Sequence, residues 1–162
     1  MVEFLTYLLE VTGADPGRSL ESTKCFYTVL PLEFAMYSST ESNARLLLKH
    51  GAIIDGTRAL YFAARCGRLG MVRFLVEAGA HVDSMPKADD PSCPWHVSRC
   101  EARSTALYCA TEKGHKDVAK YILDNGVDIR ILDKSGYTAA EIAKIKGHDG
   151  IVSLIRSYEM QG

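Results

Sequence analysis

The strongest constraint on this chain is that it repeats itself. Thr105-Ala-Leu-Tyr-Cys-Ala-Thr-Glu-Lys-Gly-His115 returns 33 residues later as Thr138-Ala-Ala-Glu-Ile-Ala-Lys-Ile-Lys-Gly-His148. The opening threonines, the alanines Ala110 and Ala143, and the Gly-His pairs stay in register. Arg58-Ala-Leu-Tyr-Phe-Ala-Ala-Arg-Cys-Gly-Arg68 fits the same frame, and Leu30-Pro-Leu-Glu-Phe-Ala-Met-Tyr-Ser-Ser-Thr40 fits it more loosely. Each block leads to a second apolar run closing on a glycine: Leu46-Leu-Leu-Lys-His-Gly-Ala52, Phe74-Leu-Val-Glu-Ala-Gly-Ala80 and Tyr121-Ile-Leu-Asp-Asn-Gly-Val127. A fixed period of this length marks an array of stacked units. No single unit can bury its own apolar face, so stacking is obligatory.

The units read as helix pairs. Thr105 and Thr138 are good N-caps, and Thr138 with Glu141 spells a capping box. In the second run of two repeats, Val72, Leu75 and Val76, then Val118, Ile122 and Leu123, fall at i, i+3, i+4 spacings. That spacing makes a helical face, not a strand. Ala63, Ala64, Ala110 and Ala143 are small enough for antiparallel helices to approach closely, and Gly79 and Gly126 stand where a left-handed C-cap is needed.

This pattern resembles the ankyrin repeat, with its Thr-Pro-Leu-His start, Gly-His turn and Leu-Leu-x-x-Gly-Ala close, over nearly the whole chain. The resemblance implies an all-α solenoid of helix-turn-helix units with short hairpin or loop fingers. On this frame residues 1–162 form one domain: a degenerate half-repeat and linker at 1–29, repeats at 30–57, 58–83, 104–136 and 137–162, and an insertion loop at 84–103. The family's usual partner-binding face is a concave surface of inner helices and finger tips. Carried over by position, its variable residues are Tyr37 and Ser38, Arg65 and Cys66, Glu112 and Lys113, and Ile145 and Lys146, with Thr57, Ser104, Lys134, Ser135 and Tyr137 on the fingers. The expected contact set is Tyr37, Phe62, Arg65, Trp95, Glu112, Lys113 and Lys146.

Departures from the pattern are informative. From the glycine that closes one repeat to the threonine position of the next is 12 residues for Gly126 to Thr138, but 26 for Gly79 to Thr105 and 7 for Gly51 to Arg58. The first difference is an insertion; the second removes most of a finger. Leu30 and Arg58 take the threonine position without offering a cap acceptor, although Thr57 could cap with a one-residue shift. The family's histidine is replaced by Glu33, Tyr61, Tyr108 and Glu141. Phe4, Leu5, Leu8 and Leu9 give residues 2–12 one apolar helical face, a second helix without a first.

Catalytic and metal signatures are weak. Cys93, His96 and Cys100 in the insertion offer three soft ligands at C-x2-H-x3-C spacing, but paired knuckles are missing. An irregular loop with incidental cysteines, or an oxidisable Cys93/Cys100 pair, accounts for them more simply. Trp95, the single tryptophan, serves equally as a binding anchor or as a pin folding the loop back. Cys66 and Cys109 lack a histidine and acid at any recognisable spacing, and His115 and His148 occupy the family's structural position. There is no Walker loop, dinucleotide fingerprint or HExxH.

Composition fits the same picture. A formal net charge of −1 leaves no footprint for nucleic acid or an anionic membrane, and no apolar run is long enough to span one. Five cysteines without framework spacing, and an N-terminus unlike a signal peptide, point to reduced thiols in the cytoplasm or nucleus. The expectation is a monomeric, non-enzymatic module without cofactor that binds a protein partner. The alternatives are a regulatory ankyrin fragment of a larger transcriptional or signalling protein, and a metal- or redox-responsive switch in residues 93–100.

Overall fold

The computed structural model describes residues 41–54, 58–85, 104–133 and 135–160, together with Asp15, Leu20, Glu21, Thr28, Val29, Leu32, Ala35 and Met36. Among these residues seven helices form: α1 (Glu41–Lys49), α2 (Ala59–Arg65), α3 (Leu69–Glu77), α4 (Ala106–Lys113), α5 (Lys116–Asp124), α6 (Ala139–Ile145) and α7 (Asp149–Glu159). The only strands among them are a two-residue antiparallel ladder, β1 (Leu20–Glu21) with β2 (Thr28–Val29), pairing Leu20 with Val29. Leu32, Ala35 and Met36 are helical and buried, as the loosest of the four blocks requires. The expected helix over residues 2–12 and the insertion's centre lie outside the described residues.

The helices pair as α2–α3, α4–α5 and α6–α7, and the pairs stack in two layers. The first helices α2, α4 and α6 lie side by side; α1, α3, α5 and α7 form the second layer. The alanines make this possible. Ala63, Ala64, Ala110 and Ala143 are fully buried, and their small side chains let the first helices approach closely. The second layer supplies bulk through Val72, Leu75, Val118, Ile122, Ile151 and Ile155, none more than 2% exposed.

Local signals decide where each helix begins and ends. Thr105 Oγ1 accepts the Tyr108 N–H at 3.2 Å. Thr138 and Glu141 close the capping box: Thr138 Oγ1 accepts the Glu141 N–H at 3.3 Å, and the Glu141 carboxylate accepts the Thr138 N–H at 2.8 Å. Helix α2 has no side-chain cap. Its N-cap Arg58 is buried instead, its guanidinium 5.5 Å above the Phe62 ring. At the other end one closing bond recurs in all three turns. The N–H of the residue after the turn glycine reaches an alanine carbonyl five residues back: Arg68 to Ala63 at 3.0 Å, His115 to Ala110 at 2.8 Å and His148 to Ala143 at 2.8 Å. Gly79 and Gly126, φ +101° and +76°, supply the left-handed residues expected of them.

Neighbouring repeats are tied on both sides. In the second layer Arg45 of α1 lies 4.5 Å over Phe74 of α3, Arg73 of α3 lies 5.4 Å over Tyr121 of α5, and the Tyr158 hydroxyl of α7 donates to Asp124 of α5. Each cation–π contact contributes about 0.5–1 kcal/mol where the cation stays in solvent, as Arg45 and Arg73 do.

Three carboxylates of the last two repeats sit below their ordinary pKa range. Asp124 is held down by the Tyr158 hydroxyl and by Lys120, Asp128 by the backbone N–H and side chain of Arg130, and Glu141 by its bonds from Thr138. The unfolded chain, lacking these partners, takes up protons first as pH drops. Stability is therefore complete above the ordinary carboxylate range and is lost as pH falls through it and below. The urea midpoint should be lower at about pH 3 than at about pH 6, with the amides of 104–160 losing exchange protection. A midpoint that is flat or rising across that window would show that these bonds add nothing.

Candidate docking face

The first helices run from the fingers to the turns, so their last residues line one continuous face. Successive repeats place Arg65 and Cys66, Glu112 and Lys113, and Ile145 and Lys146 there. Cys66, Lys113, Ile145 and Lys146 are exposed, and Arg65 and Glu112 are half-buried. The Lys113 ammonium lies 3.6 Å from the Glu112 carboxylate. Arg65 reaches back along its helix and donates to the Tyr61 hydroxyl at 3.3 Å. Phe62 is half-buried, packed edge-on to Tyr61 at 5.4 Å between centroids and against the core margin.

Two of the replaced histidine positions, Tyr61 and Tyr108, are withdrawn from solvent. Tyr61 is buried, and desolvation pushes its phenol well above the ordinary value; the neighbouring Cys109 acts in the same direction. Tyr108 is shifted up likewise, first by burial and then by its hydrogen bond to Asp133. Asp133 also accepts from the backbone N–H groups of Ser135 and Tyr137 at 2.9 and 2.8 Å, so one carboxylate ties the finger to α4. Burial pushes the Cys109 thiol up to about 12. It stays protonated near neutral pH, and so lacks the thiolate that nucleophilic chemistry needs. His115 and His148 are stacking elements: their Nε2–H groups donate to the carbonyls of Arg65 at 3.0 Å and Glu112 at 3.3 Å in the preceding turns.

Of the expected contact set, Lys113 and Lys146 are exposed, while Phe62, Arg65 and Glu112 are half-buried. Tyr37, Trp95 and the ligand candidates Cys93, His96 and Cys100 lie outside the described residues. Ser104, expected on a finger, is buried against the start of α4. The contact set read from sequence omitted three exposed large apolar side chains of the last two repeats: Ile145 at 60% exposure, Leu132 at 53% and Tyr137 at 43%. A signal for Leu132 and Tyr137 was present, since both interrupt an otherwise polar finger, Asp133-Lys-Ser-Gly136. Among the described residues no group of histidine, cysteine or acidic side chains is placed to hold a metal ion, and no helix is long and apolar enough to cross a membrane.

Comparison with known proteins agrees with this architecture. The family described as "Ankyrin repeats (3 copies)" matches residues 1–85 and 88–161. The chain is 34% identical over 109 residues to the mouse ankyrin repeat and SAM domain-containing protein 6, covering 66% of this chain and 11% of that protein. It is 30% identical over 108 residues to the potassium channel AKT1 of Arabidopsis thaliana, covering 66% of this chain and 11% of the channel. An ankyrin repeat protein of fowlpox virus is 26% identical over 190 residues, covering 99% of this chain and 29% of the viral protein. The chain therefore spans about a tenth to a third of the length of these relatives. Its recurrent helix pairs, its Gly-His turns stacked carbonyl to imidazole and this family match place the chain in the ankyrin-repeat family.

Proposed function

We propose that the chain is a non-catalytic module that binds a protein partner through the concave face formed by its inner helices and fingers. One observation carries the reading. The alanines Ala63, Ala110 and Ala143 and the turn glycines Gly67, Gly114 and Gly147 recur from repeat to repeat, whereas the displayed positions differ at every step: Arg65 and Cys66, Glu112 and Lys113, Ile145 and Lys146. The fold does not ask for that variety, and a specific partner does. Ile145, Leu132 and Tyr137 add exposed apolar surface of the kind that anchors interfaces, and ankyrin repeats generally serve as protein–protein interaction modules.

The test is a quantitative binding assay against a partner isolated from the native host. Changing Lys113 and Ile145 together to alanine should weaken binding about tenfold or more, since a truncated hot-spot side chain costs about 2 kcal/mol. Both side chains are exposed, so the thermal midpoint should hardly move. Lys120→Ala, on the opposite layer, should leave affinity intact. Undiminished affinity in the Lys113/Ile145 variant would remove the inner-helix face from consideration.

A further inference from the structure

The last described repeat keeps the inner half of the repeat pattern and loses the outer half. Ala143, Ile151 and Ile155 are buried like their counterparts Ala110, Val118 and Ile122. Helices α6 and α7 therefore seat on α4 and α5 as those seat on α2 and α3. The positions that a following repeat would cover are different. Where Ala64 and Thr111 are fully buried, the last repeat has Lys144, which is exposed. Where Leu123 is buried it has Arg156, also exposed. Leu107 and Ala119 are buried as well, while their counterparts Ala140 and Val152 are only half-buried.

The turn that launches a finger is replaced too. Gly79 and Gly126 follow α3 and α5 with left-handed backbone, and the next residues, Ala80 and Val127, are buried. At the glycine position the last repeat has Glu159, still helical, so α7 runs 11 residues where α3 and α5 run 9. Met160, its C-cap, has right-handed backbone and is 86% exposed. The link between fingers changes in the same way. Asp83 accepts the Asp128 N–H at 2.9 Å, but the counterpart of Asp83 one repeat on is Arg130, whose side chain has no acceptor.

Helix electrostatics does not account for Lys144. Arg65 and Lys113 supply last-turn cations to α2 and α4 from outside the covered position, where the residue stays small. A further unit of the same design would bury Lys144 and Arg156. The buried residues of α4, α5, α6 and α7 include no carboxylate, so such a unit brings nothing to neutralise them. Burial of an unpaired charge is strongly destabilising. Thr111 tolerates the covered position because its hydroxyl donates to the Tyr108 carbonyl at 2.8 Å, a solution closed to an ammonium with three donors. We infer that α6 and α7 close the stack: their outer face, through Lys144, Arg156 and Glu159, excludes a further ankyrin unit, whether from the same chain or from a second copy. End-to-end stacking of copies, which builds open filaments, is blocked at this face. A polar outermost face is also what keeps such an array soluble. The inference does not depend on the proposed docking role.

The experiment extends the chain with a unit that already stacks. A copy of residues 128–160 is joined directly after Met160, which keeps the 33-residue register and brings the inner side of α6 and α7 to the closing face. One host is the parent. The other carries Lys144→Thr, Arg156→Leu and Glu159→Gly, matching Thr111, Leu123 and Gly126 of the preceding repeat. In the parent the copy should add no helical ellipticity, leave the urea midpoint and slope unchanged, and be trimmed off by trypsin. In the substituted host it should add helix and steepen the slope, which follows the surface exposed on unfolding. Its cleavage by trypsin should slow about tenfold or more, as the open population falls. A copy that folds on the parent, steepening the slope and resisting trypsin, would overturn the inference. So would a copy that stays unfolded on a substituted host whose own α6 and α7 are intact, since other residues would then close the face. The parent arm involves no substitution, so it decides the question even where the substituted host misfolds.

Discussion

Gly67→Ala should destabilise the protein by about 3 kcal/mol, where Gly126→Ala costs about 1–2 kcal/mol. Both glycines have left-handed backbone, φ +68° and +76°, so the conformational penalty on a side chain is shared. Their surroundings differ. A Cβ on Gly67 would stand 2.6 Å from Nδ1 of His115 and 2.7 Å from its Cε1, whereas nothing lies within 4 Å of one on Gly126. The imidazole cannot retreat without releasing its 3.0 Å bond to the Arg65 carbonyl, which adds about 1 kcal/mol. That bond joins one repeat to the next, so the damage spreads along the stack. Urea midpoints for the two variants provide the check. Equal losses would mean that the ring has room to move and that the Gly-His stack does not hold the repeats together.

Ile122→Ala should cost about 2–5 kcal/mol, the range for a large aliphatic side chain removed from a close-packed interior. Ile122 is fully buried in α5, between α3 and α7 of the second layer. Ile155 of α7 is equally buried, but its repeat has a described neighbour on one side only. Solenoid stability is close to a sum of repeat and neighbour-interface terms. The central change therefore weakens two interfaces, the other only one. Hydrogen exchange should show Ile122→Ala lowering protection from α2 to α7, and Ile155→Ala lowering it chiefly in α6 and α7. Identical exchange patterns for the two variants would show that the array unfolds as one cooperative block.

The helix pairs were legible because their signals are local. The threonine caps, the Gly-His turns and the apolar spacings each act within about one turn of helix, and a 33-residue recurrence carries any one success to the next repeat. Where that recurrence fails, local reading weakens. Arg58 reads as a helix start without a cap acceptor, which holds, but only the structure shows it buried over Phe62. Arg65 reads as a free contact residue, yet it is half-buried and bonded to Tyr61. Tyr61 and Tyr108 hold equivalent positions, but the first is buried and the second reaches the finger through Asp133.

The sequence by itself determined the unit, its two helices, their order and the requirement that units stack, because caps and periodicity are written in neighbouring residues. Tertiary structure alone decided which equivalent side chains are displayed. Display depends on what the adjacent repeat places opposite, and spacing along the chain does not record that. Stacking covers Ala64 and Thr111 completely, while Lys144, at the equivalent position of the last described repeat, is exposed.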